Sequence, residues 1–285
     1  MHLGHRVIIN RINEIASVEG GESVLLTFHP HPRSIVSEAG SIELLSTMEE
    51  RLELLEKAGL QHVVVQPFTQ EFSRISALEY VRDLLVNTIG VHTAVVGYDH
   101  HFGRNREGDI TLLKELAELY EFNVVEIDAQ MIKEVKVSST KVRRALKSGE
   151  VTKVNSFLGY TYQITGTVVK GDGRGQSIGF PTANLVPDDA EKLIPGKGVY
   201  AVMVTADGIR YKGMLNIGNR PTFKSEMEPS LTLEVHVLDF DADLYGQQIT
   251  LEFMEWIRPE KKFATGQELI DQLFKDRART HEILS

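Results

Sequence analysis

Imidazole, hydroxyl and guanidinium groups cluster in four short stretches: HLGH (2–5), FHPHP (28–32), VVGYDHHFGRNREGD (95–109) and VSSTKVR (137–143). His2 and His5 are three residues apart, so on a helix they share one side of the first turn. A helix start gathers unpaired backbone N–H groups and the positive end of the macrodipole, a setting suited to phosphate. His29 and His31 alternate with prolines in a rigid turn. A metal site of His29, His31, His100 and His101 is conceivable, but no pair has the i, i+4 helical spacing and the motif supplies no acidic partner. Taken alone, each stretch is a weak signal; the set is more specific than its parts.

A second concentration lies in GDGRGQSIGFPTANL (171–185). It is not a Walker A loop, since no Gly-Lys-Ser/Thr closes it. Nor is it a dinucleotide fingerprint, because its glycines fall at 171, 173, 175 and 179 between predicted strands. Further on, SLTLEVHVLDF alternates: Leu231, Leu233, Val235 and Val237 share one strand face, and Thr232, Glu234 and His236 share the other. Glu234 is either a solvated strand residue or a base.

The elements that must position these groups fall into two patterns. Up to about residue 155, helix and strand alternate. Leu3, Val7, Ile8, Ile12 and Ile15 have helical spacing, followed by the strand SVLLTFH. STMEERLELLEKAG reads as a helix with a capping box from Thr47 to Glu50 and a stop at Gly59. QHVVVQPF, HTAVVGYD and NVVEIDA read as strands; SALEYVRDLLVNT, DITLLKELAELYE and SSTKVRRALKSG read as helices. This alternation predicts a parallel sheet covered on both faces, with sites at the carboxyl ends of its strands. From Tyr160, YQITGTVV, GVYAVMVTA, IRYKGMLNIG, SLTLEVHVLDF and QQITLEFMEWI predict a small antiparallel barrel or sandwich, closed by the helix GQELIDQLFKDRARTHEIL. The change of pattern sets the expected boundary at VNSFLGY, giving domains 1–156 and 157–285.

Composition narrows the function classes. The 285 residues suffice for two domains, with 42% hydrophobic and 25% charged residues. A formal charge of −9 argues against unspecific nucleic-acid or anionic-membrane partners. The absence of cysteine excludes disulfides and thiol catalysis. With no signal peptide and no apolar run of about 18 residues, a cytoplasmic protein is expected.

Taken together, HxGH, FHPHP and SSTxxR resemble the FAD synthetase module of bacterial bifunctional riboflavin kinase/FAD synthetases, and GFPTAN closely resembles the GxPTAN signature of their riboflavin kinase module. The resemblance runs over essentially the whole chain. It implies a Rossmann-like nucleotidyltransferase domain followed by an antiparallel riboflavin-kinase β-barrel with a terminal helix. It implies phosphorylation of riboflavin to FMN, then adenylyl transfer from ATP to FMN giving FAD and pyrophosphate, with Mg2+ as cofactor and ATP as co-substrate. Carried onto this sequence, it points to His2, Gly4, His5, His29, His31, Ser138, Ser139, Thr140 and Arg143 around the triphosphate. His2, His5 and Arg143 would stabilise charge at the attacked phosphorus. In the second half it points to Thr182 and Asn184 as Mg2+ and phosphate ligands. Gly173, Gly175 and Gly179 would present backbone N–H groups to phosphate, and Glu234 would be the base for the ribityl 5′-hydroxyl. PGKGVYAV, NIGNRPTF and WIRPEKKF are further family-like stretches, in which Arg220, Arg258 and Phe263 could touch nucleotide or flavin and are assigned no firm role.

Two departures accompany the resemblance. Relatives carry aromatic residues where this chain has HHF, so flavin packing near His100 and His101 is expected to differ. Relatives also precede HxGH with a strand and a Gly-Phe-Asp type turn, where this sequence has Met1. The expectation is a start codon misassigned at a GTG valine, with sheet edges and apolar helix faces left uncovered. Mass spectrometry of the native protein tests it. The principal alternative is a riboflavin kinase alone, its shortened first domain inactive. Others are transfer to another acceptor, such as pantetheine phosphate or a sugar phosphate, and a non-catalytic flavin or nucleotide sensor.

Overall fold

The computed structural model describes residues 1–36, 43–97, 99–127, 137–171, 173, 175–219 and 231–285. Two compact units divide the chain, Met1–Ser138 and Ser139–Ser285.

In the first unit the apolar spacing after HLGH forms helix α1 (Leu3–Glu19), which stops at Gly20 in the left-handed conformation (φ 67°). Strand β1 (Val24–His29) follows, then the short helix α2 (Pro32–Val36). Helix α3 (Met48–Glu56) starts on the expected capping box. Glu50 N–H donates to Thr47 Oγ1 at 3.2 Å and Thr47 N–H to Glu50 Oε2 at 3.0 Å. Strand β2 (His62–Pro67) lies parallel to β1, Val24 opposite His62 and His29 opposite Pro67. A Ser76-capped turn, α4 (Ala77–Glu79), widens into a π-helical segment over Tyr80–Ile89. Strand β3 (Thr93–Gly97), helix α5 (Ile110–Tyr120) and strand β4 (Asn123–Ile127) complete the unit, β3 and β4 again being parallel.

These strands make two separate two-stranded sheets, β1–β2 and β3–β4. Among the described residues no strand joins them. A cavity of about 610 Å³ lies there, lined by Leu26 and Phe28 of β1, Ala94 and Val96 of β3, and Ile12 of α1. Its lining is mostly apolar, with Glu19, Glu22, His92 and His100 along it, and it does not include His2, His5, His29 or His31. One core cluster gathers Val81, Phe102 and Leu113 beneath Phe28 and Val96; a second joins Ile9 of α1, Leu55 of α3 and Leu25 of β1.

The second unit opens with α6 (Ser139–Lys147) and α7 (Val151–Leu158). Contact density thus groups residues 139–156 with the barrel, whereas the change of sequence pattern sets the boundary at 156/157. The reason is visible in α7: Asn155 Nδ2 donates to the Phe253 carbonyl (2.8 Å), and Asn155 Oδ1 accepts from Tyr162 N–H (2.8 Å). Strands β5 (Gln163–Val169), β6 (Ala183–Pro187), β7 (Gly198–Ala206), β8 (Ile209–Asn219), β9 (Leu231–Val237) and β10 (Gln248–Arg258) close into an antiparallel barrel in the order β10-β5-β6-β9-β8-β7. Sequence patterning predicts five of these strands; β6 is the addition. Its five residues run from the GFPTAN stretch into a terminal proline and carry little alternation. Closure leaves no open edge. Leu233, Val235 and Val237 fill the interior as alternation predicts, and Leu231, at the strand's end, is exposed. Helix α8 (Gly266–Ile283), capped by Thr265, packs on the outside of the barrel.

Candidate active sites

In the first unit, three periodicities climb from the Ile9–Leu55–Leu25 cluster to one place. His5 stands one turn before Ile9 on α1, Arg51 one turn before Leu55 on α3, and Thr27 and His29 follow Leu25 on the same face of β1. Arg51 Nη1 donates to Thr27 Oγ1 at 3.3 Å, which ties α3 to β1.

At the top, His2 is the N-terminal flanking residue of α1 and is buried. The His2 and His5 rings stack with centroids 3.8 Å apart and planes 14° from parallel. Gly4 permits this: a Cβ there would lie 3.1 Å from His2 Cε1 and 3.2 Å from its Nδ1. The same added Cβ would be 3.9 Å from the Val137 carbonyl, so the VSS segment passes beside the helix start. His2 N–H donates to His5 Nδ1 (3.4 Å), leaving a neutral His5 to carry its proton on Nε2. His2 Nδ1 is buried with no hydrogen-bond partner among the described residues. A buried polar atom of that kind costs stability unless something else satisfies it.

Both rings are held neutral. Burial lowers the His2 pKa, helped by the nearby amino terminus. Although much of the His5 residue meets solvent, loss of water around its ring pushes its pKa down to about 3, with His2, the amino terminus and Arg51 adding repulsion.

Exposed His29 ends β1, and Phe68 N–H donates to its carbonyl at 3.0 Å. His31 Nδ1 accepts from Arg33 N–H at 3.2 Å. Ser138 ends the first unit; Ser139, Thr140 and Arg143 lie on the first helix of the second. The His100 pKa is lowered by burial, with His101 adding repulsion, and the ring stacks on Phe102 at 5.8 Å.

In the second unit β9 places Glu234 between two asparagines: in register it faces Asn184 of β6 on one side and Asn216 of β8 on the other. A cavity of about 530 Å³ covers this patch, between the barrel's outer wall and α8. Gly175, Thr182, Asn216, Glu234, Arg258 and Phe263 are among its lining residues. The glycine loop folds onto this wall. Phe180 N–H donates to the Gly175 carbonyl at 2.9 Å, and a Cβ on Gly175 would overlap the Phe180 carbonyl. A Cβ on Gly171 would overlap the Asn184 amide. Gly173 and Gly179 have φ of 68° and 79°, where glycine is the least strained residue. His236 Nδ1 lies 2.7 Å from the Pro181 carbonyl and holds the start of β6 to β9. Arg258 binds the buried Asp276 of α8 through Nε (3.0 Å) and Nη2 (2.7 Å), joining the helix to the barrel beside the cavity. Arg220 lies outside the described residues.

Thr182 and Asn184 bear neutral oxygens suited to a hard cation that keeps its waters and binds phosphate. Gly171 and Gly175 are needed for the close approach of the Asn184 amide and the Phe180 carbonyl. Two residues of these sites are not singled out by the sequence. Asn216 opens the family-like stretch NIGNRPTF but gains its place beside Glu234 only through cross-strand register, and Arg51 is signalled only by the partner faces of α1 and β1.

Comparison with known proteins bears on both units. Residues 1–141 match the family model described as FAD synthetase, and residues 158–284 match that described as riboflavin kinase. A bifunctional riboflavin kinase/FMN adenylyltransferase of Listeria monocytogenes is 38% identical over 98% of this chain and 88% of its own length. Relatives of the same description from Escherichia coli and Bacillus subtilis are 35% and 33% identical, over 99% and 97% of this chain and 89% and 87% of theirs. A solved Streptococcus pneumoniae structure, described as a macrolide-efflux protein, superposes with a TM-score of 0.84 at 28% identity, covering 98% of this chain and 90% of that one. Among the described residues of the present chain, no helix is long and apolar enough to cross a membrane.

Proposed function

The chain belongs to the bifunctional riboflavin kinase/FMN adenylyltransferase family, and from this we infer a two-step flavin-cofactor enzyme. It phosphorylates riboflavin with ATP to give FMN, then transfers AMP from a second ATP to FMN, giving FAD and pyrophosphate. The observation that carries this reading is the presence of both family matches in one chain, each over a unit with its own candidate site.

For the kinase step, Glu234 takes the proton of the ribityl 5′-hydroxyl as that oxygen attacks the γ-phosphorus and ADP departs. Its position between Asn184 and Asn216, at the wall of a cavity large enough for a flavin, supports this role. Thr182 and Asn184 would hold Mg2+, which when bound neutralises phosphate charge. Gly173, Gly175 and Gly179 would present backbone N–H groups to phosphate. Phe263 and the apolar face of α8 suit the flavin ring.

For the adenylyl step, an FMN phosphate oxygen attacks the α-phosphorus of ATP and pyrophosphate leaves. The protein's task is in-line positioning and donors aimed at developing charge. Neutral His2 and His5 at the start of α1 supply such donors, Gly4 gives the nucleotide close approach, and His29 and His31 extend the set. On the reading taken from the family, Ser138, Ser139, Thr140 and Arg143 would also bind triphosphate, Arg143 bidentately.

ATP, riboflavin, FMN and FAD are thus the ligands, and neither nucleic acid nor membrane is a partner, in keeping with the charge of −9. The cytoplasm, which supplies ATP and keeps proteins reduced, is its location. The two readings that remain separate in one assay: FMN, ATP and Mg2+ yield FAD if the first unit is active, and none if the chain is a riboflavin kinase alone.

A further inference from the structure

Arg51 is a half-buried guanidinium with unused donors. Five N–H groups are available to an arginine, and among the described residues its side chain spends one of them, Nη1 on Thr27 Oγ1 at 3.3 Å. No carboxylate pairs with it among the described residues. A cation withdrawn from water without a counter-charge is costly, and such a group is retained where an anion arrives to complete it.

Its position identifies the anion. Helices α1 and α3 run side by side in the same direction: Ile9 and Leu55 share a cluster, and one turn further on Asn13 Nδ2 donates to the Ala58 carbonyl at 3.0 Å. One turn back from Ile9 and Leu55 are His5 and Arg51. The two are close enough for the guanidinium to oppose protonation of the ring. Above them lie the start of α1, where Leu3 and Gly4 N–H have no partner among the described residues, and buried His2 Nδ1, likewise without one among them. His2 and His5 supply polarity without formal charge, and Arg51 supplies fixed positive charge beside them.

We propose that Arg51 is a phosphate-binding residue of the adenylyl-transfer site, donating its free guanidinium N–H groups to triphosphate oxygens of ATP. The proposal rests on the reading of the first unit as an adenylyltransferase. The Thr27 hydroxyl orients the side chain, and the planar fork allows two parallel bonds that an ammonium group would not make.

The test uses the full chain as wild type, R51M, R51K and T27V. R51M keeps most of the stem and removes the charge. FAD formation from FMN and MgATP is expected to fall roughly 10- to 100-fold in kcat/KM, the range for losing charge-assisted hydrogen bonds. R51K should recover part of it and T27V most of it. Riboflavin phosphorylation, carried by the other unit, should stay at the wild-type level in all three. Calorimetric titration with magnesium pyrophosphate should show the same ranking without turnover. FAD formation and pyrophosphate affinity within threefold of wild type in R51M would overturn the proposal. If R51M loses the unfolding transition of the first unit, R51K decides: a wild-type kcat/KM there overturns the proposal, and a drop of about tenfold supports it. A wild-type chain that forms no FAD, yet binds pyrophosphate in an Arg51-dependent way, would refute the adenylyltransferase reading and uphold Arg51 as an anion ligand.

Discussion

Glu234 and His5 illustrate how far a single side chain is governed by what folding brings beside it. On β9, Glu234 is one of three half-exposed residues on the outward face, and alternation alone gives it no task. Register with Asn184 and Asn216 supplies one. Replacing it with glutamine keeps the shape and removes the base, so E234Q should form FMN roughly 10²–10⁴-fold more slowly. Product chromatography after adding riboflavin and ATP measures this, and near-normal FMN formation removes Glu234 from the role. His5 leads to a prediction about pH. Its folded pKa is about 3, below the ordinary histidine value of 6.5, so the unfolded chain binds more protons between those limits. Stability contributed by neutral His5 is therefore fully present above about pH 6.5 and lost as pH falls towards 3. Wild type should lose more stability than H5Q between pH 7 and pH 5 in denaturant titrations of the first unit. The difference is expected to be small, because the residue is partly open to water. Equal losses would show that His5 does not titrate in that window.

At the scale of elements, legibility in the sequence depends on whether the signal is local. HxGH and GFPTAN are legible because a glycine at Gly4 and a compact set of hydroxyl and amide groups at Thr182 and Asn184 carry their chemistry in a few consecutive residues. The capping box of α3 is legible for the same reason, since Thr47 and Glu50 make both of its bonds with each other. Strand β6 is not, because five residues ending in Pro187 take their conformation from β5 and β9. Arg51 is not, since its meaning lies in the turn it shares with His5 across two helices. The tie between β10 and α8 is also non-local, 18 residues separating Arg258 from Asp276. Asp276 is 2% exposed and the Arg258 side chain 18%, so D276A leaves a largely buried cation unpaired. Loss of about 3 kcal/mol is expected, together with a raised KM for riboflavin, because Leu269 and Leu273 of the same helix line the cavity. Thermal denaturation and steady-state kinetics of D276A measure the two effects; an unchanged KM would detach α8 from flavin binding.

For the whole molecule, two units with separate cores and separate candidate sites predict separable chemistry. E234Q should abolish most FMN formation while FAD still forms from supplied FMN, and R51M should show the reverse. Loss of both activities in either variant would contradict independent sites. The most direct measurement supplies the unmodified chain with riboflavin, ATP and Mg2+ and follows the flavins by chromatography. FMN is predicted to appear first and FAD to follow with pyrophosphate release; recovery of unchanged riboflavin from a folded protein would contradict the account.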